Sequence, residues 1–156
     1  MTKGLKIERL KDATEEELLK AFPDVDPEME PLGSRLVVQL RCPKTVSAGG
    51  IELPLETVET EMWNTQIAKV RAIGPVAFQS RDELKPWPEG AWVKVGDYVR
   101  IPKYNQDKWF MEFEDTAKDF AGRTIKCKGY ILFMLINDLD LLGKKIGNPL
   151  NVKAYV

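Results

Sequence analysis

Apolar and polar residues alternate from Arg35 to Arg41, with Leu36, Val38 and Leu40 on one side and Val37, Gln39 and Arg41 on the other, the period of a half-buried strand. Pro43 has no backbone donor and ends that pairing. A second strand is expected at Ile67–Ile73, closed by Gly74 and Pro75. Between the two, residues 44–64 carry Gly49, Gly50, Pro54 and a Thr/Glu mixture, with too few regularly spaced apolar positions for a core face. A structureless connection of that length is unusual in a compact domain and is commonly functional or disordered. Its two glycines run into Ile51, Glu52 and Leu53, so the residues alone leave two readings open. One is an apolar hook on a flexible tether, buried by a partner; the other is a Gly-Gly hairpin turn with Ile51 and Leu53 opening an ordinary strand.

One helix is expected, over residues 14–22. Thr14 and Glu17 have capping-box spacing, Glu15 and Glu16 sit where the helix dipole favours negative charge, Leu18, Leu19 and Phe22 form an apolar stripe, and Pro23 stops it. Trp87, held between Pro86 and Pro88, reads as a rigid turn feeding a strand that includes Val93 and Val95. In Lys108–Phe113 the residues Trp109, Met111 and Phe113 alternate with their neighbours, which predicts one half of a hairpin with the segment before Cys127. The fold class is therefore all-β with a short N-terminal helix.

Composition narrows the function. The chain has 156 residues, 44% hydrophobic and 30% charged, which fits one soluble domain. A net charge of −1 gives no general attraction to nucleic-acid phosphates. Residues 1–30 are acidic, most simply as solvated surface. The longest apolar run, Tyr130–Ile136, is far below the roughly 20 residues of a membrane span. No secretory h-region stands at the N-terminus, and Cys42 and Cys127 make no disulfide framework, so a cytoplasmic protein is expected.

Histidine is absent, which removes the commonest general base and zinc ligand, and no phosphate-binding glycine motif occurs. Asp138 and Asp140 have the spacing of an acid/base or magnesium pair, but such pairs usually mark a solvated edge. We therefore expect no catalytic residue, no metal and no cofactor. Trp92, Trp109, Phe110 and Phe113, near Lys103 and Lys108, offer either a base-stacking platform or ordinary packing, and packing is the commoner use.

Several blocks, in order, resemble the GroES-type co-chaperonins: Pro31–Val38, Ser47–Leu53, Ala68–Pro75, Val93–Pro102 with its VKVGD element, and Thr124–Leu142. The resemblance implies a small irregular β-barrel over 31–142, with a mobile loop at 44–64 and an insertion at 103–123, between extensions at 1–30 and 143–156. It also implies a heptameric ring that lowers its loops onto a GroEL-type chaperonin to enclose a client protein. ATP would be bound by that partner. Carried onto this sequence, Ile51 and Leu53 become the chaperonin contacts, Gly49 and Gly50 the swivel, and Glu52 a departure from the family's usual aliphatic residue. Subunit contacts are expected where the first strand meets a neighbour's last, at Leu36, Val38, Leu139 and Leu141. The added segments extend the analogy to a divergent, bacteriophage-encoded version. Two other classes remain: a structural barrel, such as a viral head-assembly component, and a single-strand nucleic-acid-binding barrel using residues 103–113.

Overall fold

A computed structural model describes residues 14–42, 66–102, 108–147 and 149–151. The expected mobile loop, with Gly49, Gly50, Ile51, Glu52 and Leu53, lies outside the described residues. The fold is all-β and antiparallel, preceded by one helix, α1 (Glu15–Ala21). Thr14 caps α1 as its spacing predicts, its side chain accepting from the Glu17 amide at 3.2 Å.

Six strands follow among the described residues: β1 (Arg35–Leu40), β2 (Ile67–Ile73), β3 (Tyr98–Arg100), β4 (Lys108–Lys118), β5 (Thr124–Asn137) and β6 (Gly143–Lys144). They form one sheet in the order β4-β5-β1-β2-β3-β6. The connector from β5 to β6 holds a single 3-10 turn, Asp138–Asp140, and two more residues. In a flat sheet those strands would stand about 19 Å apart, whereas such a connector reaches only about 16 Å. The sheet must therefore roll, and the rolled interior is the core.

Leu36, Val38 and Leu40 enter that core with Ala68, Val70, Val99, Ile101, Leu132, Met134 and Ile136. Phe78, from the connection between β2 and β3, closes one end beside Trp87 and Trp92. The expected alternation of β1 is present, but the strand is not half-buried. Val37 and Gln39, on the outward side, are buried too, because a second apolar cluster forms there. Val37, Ile131 and Phe133 are covered by Val25 from the N-terminal segment and by Trp109, Met111 and Phe113 from β4.

A bulge in β2 prepares the outer side. Val37 pairs with Ala72 but Val38 pairs with Val70, so Arg71 is the extra residue. Arg71 and Ala72 consequently both serve the outer cluster. Arg71 donates to Gln39 Oε1 (3.1 Å), Asp24 Oδ1 (2.9 Å) and the Val25 carbonyl (3.1 Å), while Gln39 Nε2 donates to the Pro23 carbonyl (2.8 Å). These bonds strap residues 23–25 across the sheet and satisfy a buried amide.

One predicted strand is not found. Val93 is a core residue outside any strand and Val95 lies in a turn, where the Asp97 carboxylate accepts from the Lys94 amide at 3.0 Å and Gly96 takes φ +99°. Strand structure begins only at Tyr98. The Lys108–Phe113 hairpin is present and longer than expected, with β4 paired to β5 from Lys108 opposite Met134 to Lys118 opposite Thr124.

Candidate functional site

β1 and β2 are adjacent and antiparallel, so the chain leaves the sheet after Cys42 and returns at Gln66 on the same end of the barrel. Both roots are fastened. The Cys42 amide donates to the Ala21 carbonyl at 2.8 Å, which ties the outgoing strand to the end of α1. Ile101 donates to the Gln66 carbonyl at 2.8 Å, and Arg100 Nη2 reaches Gln66 Oε1 at 3.3 Å. Burial, with the Asp115 carboxylate adding to it, pushes the Cys42 thiol up from 9.0 to about 12. It is a packing group, not a nucleophile.

The expected subunit-contact residues divide. Leu36 and Val38 are fully buried inside their own barrel, and Leu141 is buried as well. β1 has no free edge, because β2 occupies one side and β5 the other, so strand addition by a neighbour at Leu36 and Val38 is corrected by this register. Leu139 is 67% exposed, and Leu32, just before β1, is 70% exposed. The Asp138 amide donates to the Ser34 carbonyl at 3.1 Å, which places the residues before β1 and those after β5 at the same end of the sheet. Leu32 and Leu139, beyond the two strand ends, are among the exposed large apolar residues of the described surface, whereas the alternating positions inside β1 are not. Leu139 was among the expected contacts, but the sequence could not exclude Leu36 and Val38, because alternation alone does not say which strand is central.

The acidic pair is not a solvated edge. Asp138 is fully buried, taking the Phe78 amide (2.9 Å), the Leu139 amide (2.8 Å) and Arg81 Nη2 (2.6 Å). Asp140 accepts from the Asn137 amide at 3.1 Å. These carboxylates fix the chain: Asp138 latches the β2–β3 connection to the end of β5, at a residue, Phe78, whose φ of +60° is unfavourable for an aromatic side chain. No acidic or thiol cluster suited to a metal occurs among the described residues.

The aromatic segment supplies packing. Trp109 stacks on Phe133 at 5.8 Å, Trp92 lies against Trp87 at 4.8 Å in the interior, and Phe113 sits over Gly129, directly opposite it across the strands. Any Cβ at position 129 would overlap that ring. Of the four aromatics, Phe110 alone is exposed, edge-on to Tyr130. They form no common platform for bases.

The described residues form a rolled antiparallel barrel, and residues 43–65 leave it and return at one end. A family model, Chaperonin 10 Kd subunit, matches residues 28–144. The 10 kDa heat shock protein, mitochondrial, of Oryzias latipes is 30% identical over 116 residues, covering 74% of this chain and 92% of that protein. Its counterparts in Mus musculus and Homo sapiens are each 29% identical, over 74% of this chain and 89% of theirs. The chain belongs to the chaperonin 10 kDa subunit family, the GroES-type co-chaperonins. Its role is that of a co-chaperonin, in a family that forms rings, partners GroEL-type chaperonins and is not enzymatic.

Proposed function

We propose that this protein forms a heptameric ring that caps a GroEL-type chaperonin in the cytoplasm and encloses a client, docking through Ile51 and Leu53. Membership of the family over residues 28–144 carries the reading. The two roots, Cys42 and Gln66, lie on adjacent strands and point the intervening segment from one end of the barrel. A ring of such barrels would present all its segments to one partner face.

Burying two aliphatic side chains gains roughly 3–6 kcal/mol per segment. Ordering the backbone around them costs about 1–2 kcal/mol per residue, so one segment binds weakly. Seven held on one ring act at high effective concentration and cap firmly yet reversibly. Glu52 between the two anchors would either weaken that grip or match a basic spot on a particular chaperonin.

Native mass measurement of the free protein, with capping assayed against a purified GroEL-type chaperonin and ATP, tests the proposal. Ile51→Asp and Leu53→Asp should abolish capping and leave the ring mass unchanged. A monomer at micromolar concentration, or undiminished capping by both variants, overturns it.

A further inference from the structure

The β4–β5 hairpin runs past the barrel toward the end from which residues 43–65 leave. β1 heads toward Cys42, β5 comes up antiparallel to it and β4 goes down again, so the turn between β4 and β5 is at the Cys42 end. Gln39 faces Phe133, so Cys42, three residues on, stands at the level of Tyr130. Residues 124–129 therefore carry the hairpin roughly 20 Å beyond that level, at about 3.3 Å per residue. Beyond the Phe113–Gly129 pair no hairpin residue is buried. The distal part is a two-stranded ribbon with no fully buried residue, gripped at its base by the Phe113 ring over Gly129.

The tip is rigid and presents an aromatic ring. The Asp119 carboxylate accepts from the Ala121 and Arg123 amides (3.0 and 2.9 Å) and pairs with Arg123 Nε at 3.0 Å, while the Asp119 amide donates to the Arg123 carbonyl. Gly122 supplies the φ of +76° that closes the turn. Phe120 stands out from this frame 87% exposed, more than any other large hydrophobic residue described. A two-stranded ribbon is only marginally stable by itself, and a bare phenylalanine at its end is a liability unless something covers it.

We infer that the Phe120 tip is a second, preorganised docking element for the same chaperonin face that the proposed function assigns to Ile51 and Leu53. Direction decides between occupants. The tip extends along the strands at the same end of the barrel from which residues 43–65 leave, the end that the proposed function turns toward the chaperonin. Charge gives the chemistry of the complement: Asp119 and Arg123 neutralise each other, and Lys118 and Lys126 lie on the ribbon's exposed positions near the tip. The complement is an apolar pocket bordered by carboxylates. Because the tip is already ordered, its contact avoids the ordering cost that weakens a flexible segment.

The inference rests on the capping reading, and the test separates the two. Capping of a purified GroEL-type chaperonin with ATP is titrated for the wild type, for Ile51→Asp, for Phe120→Ser, and for a ribbon shortened by replacing residues 115–127 with Asn-Gly. The expected result is a loss of roughly ten-fold or more in apparent affinity for Phe120→Ser and for the shortened ribbon, with ring mass unchanged; the loss for the shortened ribbon, which also removes Lys118 and Lys126, should shrink as salt is raised. Since Phe120 is exposed, its replacement decides the matter even where the shortened ribbon fails to fold. Wild-type capping that Ile51→Asp abolishes and Phe120→Ser leaves intact overturns this inference alone. A Phe120→Ser ring that dissociates assigns the tip to a neighbouring copy and overturns it too. Failure of the wild type to cap overturns the capping reading as well.

Discussion

The barrel's two apolar clusters are built from different parts of the chain. Among the described residues the interior is supplied by residues 36–141, within the span that matches the family, from β1, β2, β3, β5 and the segments that follow them. The outer cluster shares β1 and β5 but is roofed by Val25, which precedes the matching span, and by Trp109, Met111 and Phe113 of the lengthened hairpin. The interior is what makes the chain a barrel. The outer cluster turns an ordinary outward face into a buried one and fastens the N-terminal strap beside the root at Cys42.

That contrast can be broken experimentally. The largest effect is expected in the interior, where Leu36→Ala should cost about 4 kcal/mol in chemical denaturation. Asp138→Ala follows at about 3 kcal/mol, because it strands the buried Phe78 amide and removes the partner of Arg81. Arg71→Ala should cost only about 1–2 kcal/mol. It should also free residues 14–27 for limited proteolysis while the barrel resists. If it instead melts the barrel in one transition with the strap, the two clusters are a single unit.

At neutral pH the smallest effect is expected from Cys42, whose ionisation matters only in alkali. The folded state holds the Cys42 thiol at about 12 against 9.0 for a free one, so the unfolded chain loses its proton first. Stability should then fall as pH rises from about 9 toward 12, with nothing lost below that window. Cys42→Ala should flatten this slope without changing stability much at neutral pH. An unchanged slope would remove Cys42 from the outer cluster's account.

Much of the fold was legible because it obeys local rules. Ile67–Ile73 is the predicted strand residue for residue, Arg35–Leu40 is one residue short of its prediction, and Thr14 caps the helix its spacing announces. The hairpin could be read from Trp109, Met111 and Phe113 because cross-strand packing leaves a period of two. What depends on distant chain could not. Nothing near Val37 says that residue 25 will cover it, and nothing near Asp138 says that the Phe78 amide, sixty residues earlier, needs its carboxylate. The error at Leu36 and Val38 has the same origin, since a central and an edge strand alternate alike. Residues 49–53 lie outside the described residues, so their assignment stands on the resemblance and on the geometry of the two roots.

The central place of β1 carries a cost during synthesis. One of its two flanking strands is β5, whose pairing residues run from Phe133 to Asn137, so close to a hundred residues must be translated before Leu36 and Val38 can meet Ile136 and Met134. At about 5–20 residues per second the ribosome leaves that strand waiting for roughly 5–20 s. Until then β1 stays open on its β5 side, the kind of unpaired strand edge that other chains can capture, and the barrel can close only once the residues of β6 have been made.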